Sequence, residues 1–133
     1  MSGIGIHISK NDINLIFDEL ENNRPFEACG VLIGSQEGGI ITVKMAVPVK
    51  NSNRTERSFE LDPTEFYNAW NSAEKDGFEI VGVYHTHPSS PAKPSAWDKD
   101  TMQNTSDVWV IAGIDGISAY RMAEGMVETV EMI

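Results

Sequence analysis

Phe78-Glu79-Ile80-Val81-Gly82-Val83-Tyr84-His85-Thr86-His87-Pro88, followed by Ser95 and then Asp98, is the stretch on which the reading of this chain turns. Residues 78 to 84 are rich in β-branched and aromatic side chains and read as a buried strand. Side chains two apart on a strand share a face, so His85 and His87 leave the strand end on the same side. Pro88 and Pro91 stop the strand and Pro94 ends the loop. Ser95 is then placed to N-cap a helix whose first turn carries Asp98, and that turn can swing its carboxylate back toward the two imidazoles. Two imidazoles and one carboxylate fill three positions of a tetrahedral zinc and leave the fourth for water, as in a catalytic site. A structural zinc site is closed, usually by several cysteines. This chain has one, Cys29.

The pattern His-X-His-Pro, six residues, Ser, two residues, Asp resembles the signature of the JAMM (MPN-type) metalloproteases. These are zinc isopeptidases acting on ubiquitin and ubiquitin-like modifiers. The family also uses a glutamate far upstream, and Phe26-Glu27-Ala28-Cys29-Gly30-Val31-Leu32-Ile33-Gly34 is similar to the segment that carries it, with Glu27 the matching residue. The resemblance implies that His85, His87 and Asp98 hold one zinc ion per chain. It also implies that Glu27 is the general base for the attacking water and that Ser95 holds that water or the tetrahedral intermediate. The chemistry is coherent, because zinc lowers the pKa of its water to about 7 and a carboxylate within hydrogen-bond reach can complete the deprotonation. Two histidines at i, i+2 would carry little alone; their conjunction with Glu27, Ser95 and Asp98 carries the reading.

The family likeness further implies an α/β fold, a mixed β-sheet sandwiched by helices in the cytidine-deaminase-like JAMM arrangement. The implied partner is a ubiquitin-like or sulfur-carrier protein, cut at its C-terminal Gly-Gly tail. Only 35 residues follow Asp98, which leaves no space for the second insertion of ubiquitin-chain-specific relatives and resembles the minimal prokaryotic form. The alternative is a catalytically silent MPN-type scaffold, which the complete ligand set disfavours. A third class, DNA-repair relatives with a similar core, carries an extra N-terminal helical region for which this chain has no room.

Working outward, Asn11-Asp12 open a helical pattern with Ile13, Ile16, Phe17 and Leu20 on one face, ending near Asn22-Asn23 ahead of Pro25. Strands are expected from Ala28 to Ile33 and from Ile40 through Val47, joined by a turn at Gln36-Glu37-Gly38-Gly39. Residues 50–57 form a polar stretch that reads as a mobile loop, before a short strand at Ser58 to Leu61. That strand is the candidate edge for an extended substrate tail, with Glu56 or Glu60 favouring a basic residue in it. Asp62-Pro63 start a second helix with Phe66, Ala69, Trp70 and Ala73 at core spacing and Gly77 at its end. Val108 to Ala112, Ile117 to Met122 and Met126 to Met132 complete the sheet. Trp70 and Trp109 read as core, and Trp97 as packing under the metal loop.

At 133 residues the chain fits a single domain, 1–133, with one core. The formal charge of −10 argues against nucleic acid as partner, since that affinity rests on Lys and Arg neutralising phosphates. There is no apolar run long enough for a membrane span and no basic or apolar leader pattern in Met1-Ser2-Gly3-Ile4-Gly5-Ile6-His7, so the expected location is the cytoplasm. Cys29, alone, fits a reducing compartment and reads as a small buried hydrophobe rather than a nucleophile. Asp98 and Asp100 resemble the start of an EF-hand loop, but Met102 and Gln103 stand where a ligand and a glycine are required, so calcium is rejected.

Overall fold

In the computed structural model, which describes residues 4–53, 55–105 and 107–133, the strand read first lies in the middle of the sheet. Residues 1–3, Arg54 and Ser106 lie outside the described residues, and with them the start of the N-terminal stretch and one residue of the polar loop. In chain order the elements are β1 (Gly5–His7), α1 (Lys10–Asn23), β2 (Cys29–Glu37), β3 (Ile40–Val49) and α2 (Pro63–Lys75). β4 (Glu79–Thr86), α3 (Ala96–Met102), β5 (Val108–Gly113), β6 (Gly116–Ala123) and β7 (Met126–Met132) follow. β4 pairs antiparallel with β2 and parallel with β5, a mixed environment in which α3 supplies the crossover.

The two faces of β4 part at a β-bulge. Leu32 pairs with Gly82 but Ile33 pairs with Ile80, so Val81 is the extra residue. Val81 therefore joins Tyr84 on one face, while Val83 and His85 look to the other. Ile16 and Leu20 of α1 pack on the Tyr84 face, with Ile6, Leu32, Val110, Ala119 and Val130. Ala69 and Ala73 of α2 and Met102 of α3 pack on the Val83 face, with Val31, Val49, Phe59 and Trp109. Helices thus cover both faces of a mixed sheet, as expected.

Five details differ from the sequence reading. The sheet closes on itself, because β1 runs parallel to both β3 and β7. β1 has only three residues, too few for a periodic pattern, and it was not anticipated. α1 begins at Lys10 with Ser9 as its cap, the Ser9 hydroxyl accepting from Asp12 N–H, so Asn11 and Asp12 lie inside the first turn. Ser58 to Leu61 is not a strand: one bridge, Asn51 to Leu61, is all that forms. Trp70 is 43% exposed and stacks on Tyr67 at 6.1 Å, because Ala69 and Ala73 already supply the small inward face of α2. Among the described residues, no helix is long and apolar enough to cross a membrane.

Candidate metal centre

β4 ends by handing its direction to the loop that follows it. Thr86 N–H donates to the Ala28 carbonyl at 3.0 Å, and Ala28 N–H donates to Thr86 Oγ1 at 2.8 Å. His87 N–H continues the ladder with β5 by donating to the Ala112 carbonyl at 2.7 Å. Thr86, the residue between the two histidines, is thereby tied to Glu27's neighbour Ala28, and Glu27 arrives at the same strand end.

The expected capping geometry is present at α3. Ser95 Oγ accepts from Asp98 N–H at 3.0 Å, and Asp98 Oδ2 accepts from Ser95 N–H at 2.9 Å, a reciprocal capping box. This pins the Asp98 carboxylate so that Oδ2 stands 3.2 Å from His85 Nε2 and 3.1 Å from His87 Nε2. The two Nε2 atoms are themselves 3.1 Å apart. Ligand atoms on a tetrahedron with bonds of about 2.0 to 2.1 Å stand roughly 3.3 Å from one another, so this triangle has the dimensions of one face of such a site. Glu27 Oε2 lies farther out, 4.0 Å from His87 Nε2. Glu27, His85 and His87 can also be grouped as possible ligands within 4.8 Å of each other, but the tighter triangle is the one closed by Asp98.

All four side chains are buried, and three of their polar atoms, Glu27 Oε1, His85 Nδ1 and Asp98 Oδ1, have no hydrogen-bond partner among the described residues. Orphaned buried oxygens beside a nitrogen pair are costly unless a cation or proton serves them. His87 Nδ1 lies 2.9 Å from the Pro91 carbonyl, which can only accept. Nδ1 therefore carries the hydrogen and Nε2 presents its lone pair, the tautomer a metal needs.

The electrostatics set the four groups apart. Burial lowers the His85 pKa, against the pull of Asp98, and so favours the neutral ring. At His87 burial acts the same way, but the hydrogen bonds to Asp98 and the Pro91 carbonyl and the charges of Asp98 and Glu27 outweigh it and raise the pKa. Burial would raise Asp98, yet its bonds to the two imidazoles hold it well below the usual carboxylate range. Glu27 goes the other way: burial pushes its carboxyl up to about 8, with His87 opposing and Asp98 adding to the rise. Two carboxyls that both face His87 thus have divergent proton affinities, the usual mark of divided roles.

Glu27, His87 and Ser95 line one cleft together with Glu56, Arg57, Ser90, Ala96 and Trp97. His85 and Asp98 do not line the cleft; both are fully buried, beside His87. Trp97 packs edge-on to Phe59 at 5.3 Å and also walls the cleft. Glu60 borders a separate apolar pocket with Phe66 and Trp109, so of the two acidic candidates only Glu56 faces the cleft. The expected edge strand also fails on its own terms. Phe59 is buried against His85, and Glu60 N–H and C=O are already engaged by Asn51 Oδ1 and Ser52 N–H.

The profile of the Prok-JAB family, prokaryotic homologs of the JAB domain, matches residues 9–126. The chain belongs to the Prok-JAB family. A desampylase of Haloferax volcanii is 38% identical over 93 residues, covering 69% of this chain and 66% of that protein. The matched part thus spans just under two thirds of that relative's length. The probable TtuB-protein conjugate cleaving protease of Thermus thermophilus is 27% identical over 125 residues, covering 92% of this chain and 80% of its own. Among solved structures, a protein from Desulfitobacterium hafniense superimposes with a TM-score of 0.88 at 27% identity, covering 96% of this chain and 91% of that one. The Haloferax and Thermus proteins are JAMM-type prokaryotic proteins, and the motif resemblance is to the family the chain belongs to.

Several residues that serve this Prok-JAB site carry no sequence signal of their own. Asn51 Nδ2 donates to the Glu27 carbonyl at 2.9 Å, and the loop it opens also meets Glu27 N–H through the Thr55 carbonyl at 3.5 Å. An asparagine at the start of a polar run looks like any other turn residue. Gly113 is equally quiet: a Cβ there would lie 2.5 Å from Ala92 N and 2.6 Å from Pro91 C, inside the loop whose Pro91 carbonyl orients His87. Gly113→Ala is therefore expected to destabilise the fold by about 1–3 kcal/mol and to weaken metal uptake. Thermal unfolding and a zinc titration check both; parental values in both would separate the loop from the site.

Cys29 is 1% exposed, with Sγ 3.4 Å from the Val49 carbonyl, and burial with the nearby Glu19, Glu27 and Glu65 pushes its thiol up to about 12. At pH 8 on the order of one thiol in ten thousand is then ionised. A native sample should be inert to a chromogenic disulfide reagent that titrates one thiol after denaturation. Rapid native labelling would contradict the packed, non-nucleophilic role.

Proposed function

We propose that the chain is a zinc-dependent isopeptidase or peptidase that cleaves at the C-terminal Gly-Gly tail of a ubiquitin-like modifier or sulfur-carrier protein. His85, His87 and Asp98 are its zinc ligands, Glu27 its general base and Ser95 its oxyanion donor. The observation that carries this reading is the His85–His87–Asp98 triangle, bordered by a buried carboxyl of opposite protonation tendency in a cleft. The names of the Haloferax and Thermus relatives support the substrate class. We read the whole of residues 1–133 as one cytoplasmic domain of the cytidine-deaminase-like type.

Zinc, when bound, supplies a Lewis acid that lowers the pKa of a coordinated water to about 7 and polarises the scissile carbonyl. Ser95 N–H holds the Asp98 carboxylate and the Pro91 carbonyl fixes the His87 tautomer that presents Nε2, while burial favours the neutral His85 ring. Glu27 Oε1, unpartnered and buried, takes a proton from the attacking water and returns it to the leaving amine. A carboxyl whose proton affinity lies near neutrality can do both. Ser95 Oγ already accepts from Asp98 N–H, so its own hydrogen is free for the oxyanion of the attacked carbonyl. Trp97 and Ala96 present apolar surface that limits water in the cleft.

The test is incubation of the zinc-loaded protein with modifier and sulfur-carrier substrates, both lysine-linked and linear, with products read by mass spectrometry. Cleavage after the terminal glycine, abolished by a chelator and restored by zinc, is expected. Failure on every substrate class, with zinc bound, would favour the silent scaffold.

A further inference from the structure

The two histidines are oriented by different means. His87 has the support usual for a metal ligand, with Nδ1 donating to a carbonyl. His85 Nδ1 has no hydrogen-bond partner among the described residues, although the ring is fully buried. What fixes the His85 plane is aromatic packing. Phe59 lies over it with ring centroids 4.6 Å apart and planes at 24°, and Trp109 meets it edge-on at 5.5 Å and 84°. Phe59 is in turn held edge-on by Trp97 at 5.3 Å and Trp109 at 5.5 Å.

Phe59 belongs to no strand or helix, so its own placement needs explaining. The connection between β3 and α2 is closed by Asn51, whose Oδ1 accepts from Glu60 N–H at 2.9 Å and whose Nδ2 reaches the Glu27 carbonyl. Ser52 N–H donates to the Glu60 carbonyl at 2.8 Å and Asp62 N–H to the Lys50 carbonyl at 2.9 Å. The residue next to Phe59 is thus tied, through one asparagine, to the residue proposed as general base.

We infer that Phe59 is a positioning residue for His85, fixing by ring stacking the orientation that a hydrogen bond fixes at His87, and that Asn51 couples this support to Glu27. The inference rests on the metal reading above. A stacked ring restrains rotation about the last side-chain bond of His85 while leaving Nε2 aimed at Asp98. An aliphatic side chain of similar size fills the space without that planar restraint. Loss of such outer support at metal sites typically weakens metal binding by roughly 10- to 100-fold.

The experiment compares Phe59→Leu, Phe59→Tyr and Phe66→Leu with the parent chain, using Zn²⁺ competition against a chromophoric chelator and the visible absorption of the Co²⁺ form. Phe66 packs in the same cluster and provides the control for general loosening. Phe59→Leu should bind Zn²⁺ 10- to 100-fold more weakly and shift the Co²⁺ bands, whereas Phe59→Tyr, which keeps the face, and Phe66→Leu should stay within about threefold of the parent. Parental affinity in a folded Phe59→Leu, or an equal loss in Phe66→Leu, would overturn the inference. Should Phe59→Leu not fold, Phe59→Met is judged by the same criteria. A parent chain that takes up no zinc would instead sink the metal reading. The stack would then be judged in the metal-free chain by the His85 ring nitrogen resonances, whose constancy in Phe59→Leu would overturn it too.

Discussion

Asp98→Ala is expected to take the protein from about one zinc per chain to essentially none, and to abolish peptidase turnover with it. Asp98 Oδ2 lies within 3.2 Å of both imidazole nitrogens, so its removal leaves the two rings without the carboxylate that joins them. Two imidazoles alone bind zinc far more weakly than a set completed by a carboxylate. The fold should survive at some cost in stability, because Ser95 Oγ still caps the backbone N–H of residue 98 although Ser95 N–H loses its carboxylate partner. His85→Ala should lose the metal as well, with an added stability cost, since it empties a fully buried place between Phe59 and Trp109. Metal analysis by mass spectrometry and circular dichroism separate the two effects. Stoichiometric zinc in a folded Asp98→Ala would remove Asp98 from the ligand set.

The parts of this site that were legible in the sequence are those set by local geometry. His85 and His87 lie on one face because a strand alternates, and Asp98 faces back because Ser95 caps the helix that carries it; both rules act over a few residues. Glu27 was reached by resemblance, and what brings it to the strand end is a long-range pair, Ala28 with Thr86, that no local pattern announces. The Phe59 stack belongs to the same class. Phe59 alternated plausibly with polar neighbours and read as strand, but the main-chain partners of Glu60 come from an asparagine side chain and a serine nine and eight residues earlier, which make a closed loop and bury the ring.

The closure of the sheet was hidden for a similar reason. Three residues of β1 bridge β3 and β7 from opposite ends of the chain, and only Ile6 among them is fully buried and apolar. Trp70 shows the converse error. Helical spacing placed it with Phe66, Ala69 and Ala73, but the face that meets the sheet is centred on Ala69 and Ala73 with Phe66 beside them, and the Trp70 ring is left outside on Tyr67.

Glu27→Gln should keep both zinc and fold while turnover falls by about 10² or more, the usual scale for loss of a general base. The amide is nearly isosteric, and Glu27's carbonyl link to Asn51 runs through the main chain, so placement is preserved. The ligand triangle lies closer together than Glu27 does, 3.1 to 3.2 Å against 4.0 Å from His87, so the metal should not depend on the carboxylate. What the substitution removes is the ability to hold a proton at Oε1, which burial now makes favourable near neutral pH. A loss in kcat with KM little changed would place the defect in the chemical step. Ser95→Ala gives the contrasting pattern. It forfeits an N-cap worth about 1 kcal/mol and frees the Asp98 turn, so stability, metal affinity and turnover should all decline together, with a smaller loss of rate than at Glu27. If Glu27→Gln instead released the zinc, Glu27 would be a ligand, and the base would have to be sought elsewhere in the cleft, where Glu56 is the remaining carboxylate.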